Sequence, residues 1–438
     1  MRILIVSFGS TGDVRPYVAL ARGLLDLGYE ITVATHRSFE SLVRENGAAF
    51  LPIYGDPIEI VHSPEGLEWL ASAGNPLLFG LGLRRLFRSL AIRCGTDCWE
   101  AAQGKDAIIT SRLAVGVAFH VAEKLKVPLI QAYLQPTFDT TEFPDVHIFS
   151  RNRGSMLNRL SHMVSLWFFW AGLQKESCAF RKDLLALPCL SLRETVRQVR
   201  HLSTPKLVGI SPRLISKPRD WGADFHVTGY WFLPETTWQP GARLLDFLSS
   251  GKPPVTVGFG SMNNEDREMT GELVVRALRE VECRGVLLSG WGGLSCTENS
   301  DDMLVLEGAP HSWLFPRSAA VVHHAGVGTT GECLRSGVAA VPVPFFGDQL
   351  YWAWKLHALG VGTSPIPRKR LTQLDLQNAI RTAISNQDLR RRAKDLGRQI
   401  MDEDGVGTAS TIIDNYLQGR GIAPNSLPNS LMTEAKED

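Results

Sequence analysis

The sequence predicts an α/β protein made of two Rossmann-like domains, each with a doubly wound parallel sheet. The chain opens with a strand, a glycine-rich turn, a helix and a second strand over residues 3–45, which is how such a sheet begins. A second series of this kind starts at Pro254–Phe259. In addition, 438 residues are too many for one hydrophobic core, so we expect two domains.

The first half alternates strands and helices. Pro16 suits the first turn of a helix, and Gly28 suits the cap at its end. We predict strands at Ile3–Ser7, Glu30–Ala34, Ala107–Thr110, Pro128–Tyr133 and Val208–Ser211. We predict helices at Pro16–Leu27, Phe39–Glu45 and Val115–Leu125. The first turn lacks the pattern G-x-G-x-x-G, which disfavours a dinucleotide oxidoreductase.

Two stretches of the first half each have two interpretations. Leu77–Arg93 mixes apolar residues with arginines, so it is either a peripheral membrane contact or an ordinary surface helix. Leu166–Trp170 is an aromatic cluster, which is either core packing or the wall of an apolar acceptor cleft containing Trp167 and Trp170.

Residues 212–254 are rich in Pro, Gly and Trp and lack periodicity, so we predict the domain linker there. The next domain is expected at 255–400. Its predicted strands are Pro254–Phe259, Gly285–Ser289, Met303–Leu306, Ala319–Val322 and Val338–Val343. Its predicted helices, with those that follow, are Asp266–Glu280, Trp313–Phe315, Leu350–Leu359, Asp388–Gln399 and Thr408–Gln418. We expect the polar tail 419–438 to be disordered.

Composition narrows the function. A formal net charge of +1 provides no global field for binding nucleic acid. Seven scattered cysteines, an odd number, favour reduced thiols in a cytoplasmic protein. Cys94 and Cys98 are one helical turn apart and are interpreted as packing residues, not metal ligands. The N-terminus lacks the features of a signal peptide, and no run of 18 apolar residues occurs.

The stretch His323–Glu332, H-H-A-G-V-G-T-T-G-E, follows a predicted buried strand and leads into a helix. A glycine-rich turn of this kind directs backbone N–H groups and the positive end of a helix at one point, which suits a phosphate. We expect the phosphate to contact His324, a donor that can carry positive charge, with Gly326, Gly328, Thr329 and Thr330. The alternative is an ordinary capped turn with two buried histidines.

Further polar groups follow strands at the same rim. Ser261 would meet phosphates, Trp291 a base, Glu332 a diol, and the pair Asp348-Gln349 the hydroxyls of a polyol. Together these groups predict a sugar-nucleotide site. From the other half, Asp13 ends a glycine-rich loop, where its carboxylate is placed to accept a proton from an attacking hydroxyl. Asp13 also suits the N-terminal cap of a helix, and the two roles can coexist.

Eight stretches of the chain resemble the GT-B glycosyltransferases of family 1, especially the sterol and antibiotic glycosyltransferases. They are F-G-S-T-G-D-V-R-P at 8–16, A-T-H-R-S-F at 34–39, Q-P-T-F-D-T-T-E-F-P at 135–144, V-G-F-G-S-M at 257–262, S-G-W-G-G-L at 289–294, P-H-S-W-L-F-P at 310–316, H-H-A-G-V-G-T-T at 323–330 and P-F-F-G-D-Q at 344–349.

The resemblance implies two domains facing each other across a cleft, with segment 401–418 returning to the first domain. It implies inverting transfer of a hexose, glucose from UDP-glucose, to a hydrophobic acceptor such as a sterol, without a metal or other cofactor. It assigns Asp13 as the base, with His36 as the next candidate. It assigns His324 to the diphosphate, His311 and Glu332 to the nucleoside, and Asp348 and Gln349 to the sugar. We expect Thr11 and Gly12 to line the acceptor pocket, and we expect a monomer, cytoplasmic or peripheral at membranes.

Two other functions remain open on this architecture, a sugar-nucleotide epimerase and a catalytically silent nucleotide-sugar-binding protein. The single D-x-D, Asp402–Asp404, lies in a late polar stretch and is interpreted as solvated surface rather than as a metal site.

Overall fold

The computed structural model describes residues 1–56, 92–234, 238–260, 267–290 and 300–419, together with Ser63, Gly66 and Gly82. Most of the predicted membrane-contact segment 77–93 and the tail beyond 419 therefore lie outside the described residues. No helix in the described ranges is both long and apolar enough to cross a membrane.

The first sheet has seven parallel strands in the order β3-β2-β1-β4-β5-β6-β7. Its strands are β1 (Arg2–Val6), β2 (Glu30–His36), β3 (Ala49–Ile53), β4 (Ala107–Thr110), β5 (Leu129–Tyr133), β6 (Lys206–Val208) and β7 (Phe225–Val227). The central strands β1, β4 and β5 are mostly apolar and, apart from Arg2, buried, because helices cover both faces of the sheet.

The second sheet has five parallel strands in the order β10-β9-β8-β11-β12. Its strands are β8 (Val255–Gly258), β9 (Gly285–Leu288), β10 (Met303–Leu306), β11 (Ala320–His323) and β12 (Ala340–Pro342). The two sheets confirm the predicted α/β class with two Rossmann-like domains.

The helices used below are numbered in chain order. They are α1 (Thr11–Asp26), α2 (Glu40–Glu45), α3 (Val115–Leu125), α4 (Ser155–Asp183), α5 (Leu192–Arg200), α6 (Ala242–Ser249), α7 (Arg267–Glu280), α8 (His311–Leu314), α9 (Val327–Ser336), α10 (Gln349–Ala358), α11 (Gln373–Ser385), α12 (Gln387–Met401) and α13 (Gly405–Leu417).

Alternate residues of β1 enter two separate cores, as the pleat of a strand requires. Ile3 and Ile5 pack on the side of α1, whereas Leu4 and Val6 pack on the side of α3 and α4. Helix α13 packs on the α1 side, where Ile413 is fully buried. The end of the described chain therefore contributes to the core of the first half.

The structure corrects the sequence-based prediction at two edge strands. Strand β3 was not predicted, and β7 lies inside the region 212–254 that we expected to be a linker. That region also contains α6, so the sheet of the first half extends beyond residue 211.

The prediction of reduced thiols is wrong for two of the cysteines. Cys178, near the end of α4, forms a disulfide with Cys189 in the loop before α5. The two cysteines are 11 residues apart in sequence, which is not a recognisable pairing pattern. They meet because the chain turns back after the end of α4. The sulfur atoms of Cys94 and Cys98 are free and buried in the core, as the packing interpretation expects.

Candidate active site

Two glycine-rich turns meet at the switch points of the two sheets. The direction of winding reverses between β1 and β4 in one sheet and between β8 and β11 in the other. Ligands bind beyond the carboxyl ends of the strands at such points. The turn after β1 enters α1, and the turn after β11 enters α9. A Cβ atom built on Gly328 would lie 3.9 Å from the Cα of Gly12, which is van der Waals contact, so the N-termini of these helices meet at the junction between the two halves.

Asp13 lies in the first turn of α1, where it completes a capping box with Ser10. Its Oδ2 atom accepts hydrogen bonds from the backbone N–H of Ser10 (2.9 Å) and from the Ser10 hydroxyl (3.0 Å). Within the described ranges, no hydrogen bond is found to the other oxygen, Oδ1. One oxygen thus holds the helix cap while the second is available to a ligand.

The environment of Asp13 favours proton uptake. Burial raises the pKa of Asp13 to about 6, against the hydrogen bonds from Ser10, which lower it. The negative charge of Asp348, from the second half, raises this pKa further. A carboxylate with this pKa is largely ionised at neutral pH and is a stronger base than an ordinary aspartate.

His36 supports the turn that carries Asp13. Its Nε2 atom accepts a hydrogen bond from the backbone N–H of Gly9 at 3.1 Å. Gly9 has a φ of 125°, and a Cβ atom there would lie 2.5 Å from Asp13 Oδ2, so the turn requires glycine. Burial lowers the pKa of His36. Because its unprotonated nitrogen is engaged by the backbone, His36 is positioned to hold the loop, not to act as the base.

The second turn contains two histidines in different environments. His323 is fully buried, and its Nδ1 atom accepts a hydrogen bond from the backbone N–H of Ala325 at 3.1 Å. The ring of His324 lies beside two glycines, since Cβ atoms on Gly260 and Gly326 would lie 3.1 and 2.5 Å from it. His323 therefore shapes the turn, whereas His324 occupies the groove beside the start of α9.

The surroundings of His324 favour its neutral form, although the sequence predicts a donor that can carry positive charge. Burial, followed by the nearby His311, lowers the pKa of His324 to about 4. In the described part of the chain, His324 Nδ1 and Thr330 Oγ1 are buried without a hydrogen-bond partner. Such atoms are uncommon in folded proteins and suit a ligand that accepts hydrogen bonds at the N-terminus of α9.

Asp348 and Gln349 lie at the start of α10, and both interact with nearby groups of the second half. Asp348 Oδ2 accepts a hydrogen bond from Trp352 Nε1 at 2.8 Å. Gln349 is buried, and its Oε1 accepts hydrogen bonds from the backbone N–H groups of Phe345 (2.8 Å) and Phe346 (3.3 Å). The carbonyl of Gln349 thus shapes the strand-end loop, while the charge of Asp348 acts on Asp13 of the first half.

The two residues predicted to bind the nucleoside, His311 and Glu332, have partners in the structure. The His311 ring stacks on Phe315 with centroids 4.4 Å apart, and burial followed by the charge of Arg15 lowers its pKa to about 4. Glu332 forms an ion pair with Arg335 at 2.7 Å, beside a cavity of about 500 Å³. A ribose role for Glu332 therefore has to compete with this ion pair.

The predicted acceptor residues separate into two groups. Thr11 and Gly12 are exposed at the start of α1, next to Asp13. Trp170 is 1% exposed and packs edge-on against Phe119 with centroids 6.2 Å apart, so the core-packing alternative describes it. Trp167, three residues earlier on α4, is partly exposed.

Sequence reasoning missed a histidine at this cleft. His147 lies in the loop between β5 and α4, and its Nδ1 atom is 3.2 Å from Oδ1 of the buried Asp145. Burial and, to a smaller extent, the charge of Arg112 lower the pKa of His147. The hydrogen bond and charge of Asp145, together with the charge of Asp348, outweigh these effects, so the pKa is raised. The sequence signal that could have found this histidine is D-V-H at 145–147, which directly follows 135–144, one of the stretches that resemble the glycosyltransferases.

Ser261 and Trp291, predicted to contact the phosphates and the base, lie outside the described residues. The ends of β8 and β9, from which their loops start, lie at the same rim as the turn after β11.

Two family models match the chain. The glycosyltransferase family 28 N-terminal domain matches residues 3–144, and the UDP-glucoronosyl and UDP-glucosyl transferase model matches residues 241–403. Two Rossmann-like halves, an aspartate at one switch point and a phosphate-type turn at the other define the class: the protein is a glycosyltransferase of the GT-B type.

The relatives narrow this class. One sterol 3-beta-glucosyltransferase of Arabidopsis thaliana is 34% identical over 446 residues, covering 100% of this chain and 71% of the relative. Another from the same plant is 35% identical, covering 93% of this chain and 64% of the relative. A sterol 3-beta-glucosyltransferase of Penicillium rubens is 32% identical, and there the match spans 93% of this chain but 30% of the relative. The chain belongs to the sterol 3-beta-glucosyltransferase family.

Solved structures support the fold. The glycosyltransferase of kitacinnamycin has a TM-score of 0.70 at 21% identity, covering 95% of this chain and 99% of the other. The calicheamicin glycosyltransferase CalG4 has a TM-score of 0.67 at 16% identity, covering 96% and 99%.

Proposed function

We propose that this enzyme transfers glucose from UDP-glucose to the hydroxyl of a sterol or similar hydrophobic alcohol, with inversion and without a metal ion. The names of the relatives support the sugar and the acceptor class. The observation that carries the proposal is the position of Asp13, which follows Gly12 where the N-terminus of α1 meets that of α9 and which lies close enough to Asp348 for the two charges to interact.

The acceptor step uses the free oxygen of Asp13. The acceptor oxygen attacks the anomeric carbon while Asp13 Oδ1 takes its proton, and the bond from that carbon to the diphosphate oxygen breaks. The electron pair of that bond leaves with UDP. Because attack comes from the side opposite the leaving group, a single displacement inverts the anomeric carbon. The raised pKa of Asp13 makes this carboxylate suited to the proton transfer.

The leaving diphosphate is stabilised from the second half. The N-terminus of α9 directs backbone N–H groups and a partial positive charge at it, and Thr330 contributes a hydroxyl. His324 starts neutral and acts as an N–H donor, and a bound diphosphate raises its pKa by charge. These groups take the place of a metal ion. We assign Asp348 and Gln349 to the sugar, Ser261 to the diphosphate, and Trp291, His311 and Glu332 to the nucleoside.

The test is an assay of the purified protein with UDP-glucose and a sterol in the presence of EDTA. We expect a β-glucoside, identified by mass spectrometry and NMR. Asp13→Asn should lower turnover by about 10²- to 10⁴-fold, as expected for loss of a general base. Asp375→Asn is the matched control, since Asp375 occupies the same position in the cap of α11, where Thr372 donates to its Oδ2 at 2.6 Å.

Four outcomes would contradict parts of the proposal. An α-glucoside would exclude inversion, and loss of activity in EDTA would exclude metal independence. Equal turnover of Asp13→Asn and Asp375→Asn would exclude Asp13 as the general base. Epimerised donor, or donor binding without transfer, would instead support one of the two alternative functions.

A further inference from the structure

Helix α4 carries an apolar face that is exposed to solvent. Six residues form it, and we call them the α4 stripe: Met156, Leu157, Leu160, Met163, Val164 and Phe168, which are 80%, 41%, 49%, 37%, 48% and 44% exposed. At 3.6 residues per turn they fall within an arc of about 140°. Asn158, His162 and Leu173, on the opposite side of the helix, are buried. One side of the helix thus packs against the first half, while the stripe faces solvent.

The α4 stripe differs from the other exposed apolar residues of the described chain. Met269, Leu374 and Met401 are 58%, 62% and 68% exposed, but they lie on three separate helices of the second half. Single residues of that kind are normal on soluble proteins, whereas a continuous apolar face marks a contact surface.

The charge on α4 itself is basic at the N-terminal end of the stripe. Arg153 and Arg159 are exposed there. Arg151, in contrast, stacks on Trp354 of the second half, and the exposed Glu142 lies beside Asn152 in the preceding loop. Between Asp145 and Glu176 the sequence contains no acidic residue. An apolar helical face with two exposed arginines at one end, and no acidic residue along its length, is complementary to the surface of a bilayer with anionic headgroups. A stripe of 13 residues is about 20 Å long at 1.5 Å per residue, too short to cross a bilayer, so the helix would lie in its surface.

The stripe also borders the cleft. The loop that precedes α4 carries His147, whose charge interacts with that of Asp348. The guanidinium carbon of Arg112 lies 4.1 Å from the ring centroid of Phe169, the residue after Phe168. The charge of Arg112 also lowers the pKa of His147. A bilayer in contact with the stripe would therefore lie close to the loop that carries His147, whose charge interacts with that of Asp348 of the second half.

We propose that the α4 stripe and its arginines dock this protein on an anionic phospholipid surface. The stripe enters the boundary between headgroups and acyl chains, and the arginines contact lipid phosphates. A corollary, which rests on the proposed function, is that a hydrophobic alcohol enters the cleft directly from the bilayer.

Flotation with vesicles tests the docking without reference to activity. The full chain is mixed with vesicles of phosphatidylcholine alone, or of phosphatidylcholine and phosphatidylserine in equal parts. We expect it to float with the anionic vesicles. Leu160→Asp combined with Phe168→Asp should weaken binding by at least about tenfold, because each change puts a charge in place of an apolar side chain that would enter the bilayer boundary. Arg153→Gln with Arg159→Gln should remove most of the preference for phosphatidylserine and its salt dependence.

The matched control is Met269→Asp with Leu374→Asp, which changes equally exposed residues of the second half. It should float like the unmodified protein, and circular dichroism should show that all variants keep their fold. The proposal is wrong if the unmodified protein floats with neither kind of vesicle, or if the control loses as much binding as the α4 variant. A dimer in sedimentation that Leu160→Asp abolishes would assign the stripe to a second copy instead.

The corollary has a separate readout. With a sterol embedded in anionic vesicles, the α4 variant should turn over more slowly than the unmodified protein. With a short acceptor dissolved in water, the two should be equal. If flotation succeeds but neither acceptor is glycosylated by the unmodified protein, the docking surface holds and the proposed function fails.

Discussion

Asp13 combines two requirements that seldom meet in one side chain. As a cap, it must accept hydrogen bonds from Ser10, and as a base it must keep an oxygen free and hold its pKa above 3.8. The structure satisfies both, because Oδ2 takes the two bonds from Ser10 while burial and Asp348 act on the carboxylate as a whole. Gly9 makes this possible, since any side chain there would collide with the carboxylate.

The pH dependence of turnover should report this environment. Only ionised Asp13 accepts a proton, so kcat/KM should rise with pH and level off above about 6. The effect of pH on stability has the opposite sign. Folding raises the pKa of Asp13 from 3.8 to about 6, so the contribution of this group to stability is present below 3.8 and is lost as pH rises to about 6. Asp13→Asn should therefore lose activity at pH 7 without a lower thermal midpoint. A rate profile that levels off near pH 4 would contradict this account.

At the scale of elements, the loop between β5 and α4 brings a second titratable group to the cleft. Asp145 is 1% exposed and holds His147 through its backbone N–H at 2.9 Å and its Nδ1 at 3.2 Å. Nε2 is left as the nitrogen able to meet a ligand, on a ring that is 44% exposed. The same loop reaches the second half at another point, where the Arg151 guanidinium lies 3.3 Å from the ring centroid of Trp354 on α10.

We predict that His147 contributes to donor binding beside Asp348. His147→Ala should raise the KM for UDP-glucose by about tenfold or more, since a hydrogen bond from a charged group contributes about 1.5–3 kcal/mol. Because the pKa of His147 is raised, the imidazolium and this advantage should be lost as pH rises through that raised value. The control is His201→Ala, at an exposed histidine after α5. A KM that stays the same in His147→Ala at every pH would remove His147 from the site.

The elements that sequence reasoning found and missed differ in their burial. Central strands such as β1 and β4 are continuous apolar runs because helices cover both of their faces, so the sequence alone identifies them. The edge strand β3 contains Pro52, and β7 has three half-buried residues, so neither has such a pattern.

The site residues that sequence reasoning found and missed also differ in a physical way. The glycine-rich turns were predictable because their backbone geometry demands particular residues, as at Gly9. The ion pair of Glu332 with Arg335 and the bonds from Phe345 and Phe346 to Gln349 depend on side-chain geometry, which no short motif encodes. His147 faces the cleft through a contact with Asp145 two residues away, a pattern too short to stand out in sequence.

At the scale of the whole molecule, the helix that carries Asp13 is held by the end of the described chain. Helix α13 packs on α1, where a Cβ atom on Gly23 would lie 2.6 Å from Ser410 Oγ and 2.5 Å from Val406. The Tyr29 hydroxyl also donates to Asp414 at 2.6 Å. The second half is thereby connected to the first at two places, through the region after β7 and through α13.

This arrangement predicts that damage to α13 destabilises the half that contains Asp13. Ile413 is fully buried in the core that includes Val14, Val18 and Leu24 of α1. Ile413→Ala should lower the free energy of unfolding of the first half by about 2–5 kcal/mol, as expected for a cavity in a packed core. Leu374→Ala, at a residue 62% exposed on α11, is the control and should have little effect.

The measurement is urea unfolding followed by hydrogen exchange, so that α1 and β1 are observed separately from β8 and β11. Because α13 follows the second half in the chain but packs on the first, loss of protection should appear first in α1 and β1. Equal loss in both sheets would mean that the two halves unfold as one unit. Loss confined to β8 and β11 would mean that α13 stabilises the second half, against its packing on α1.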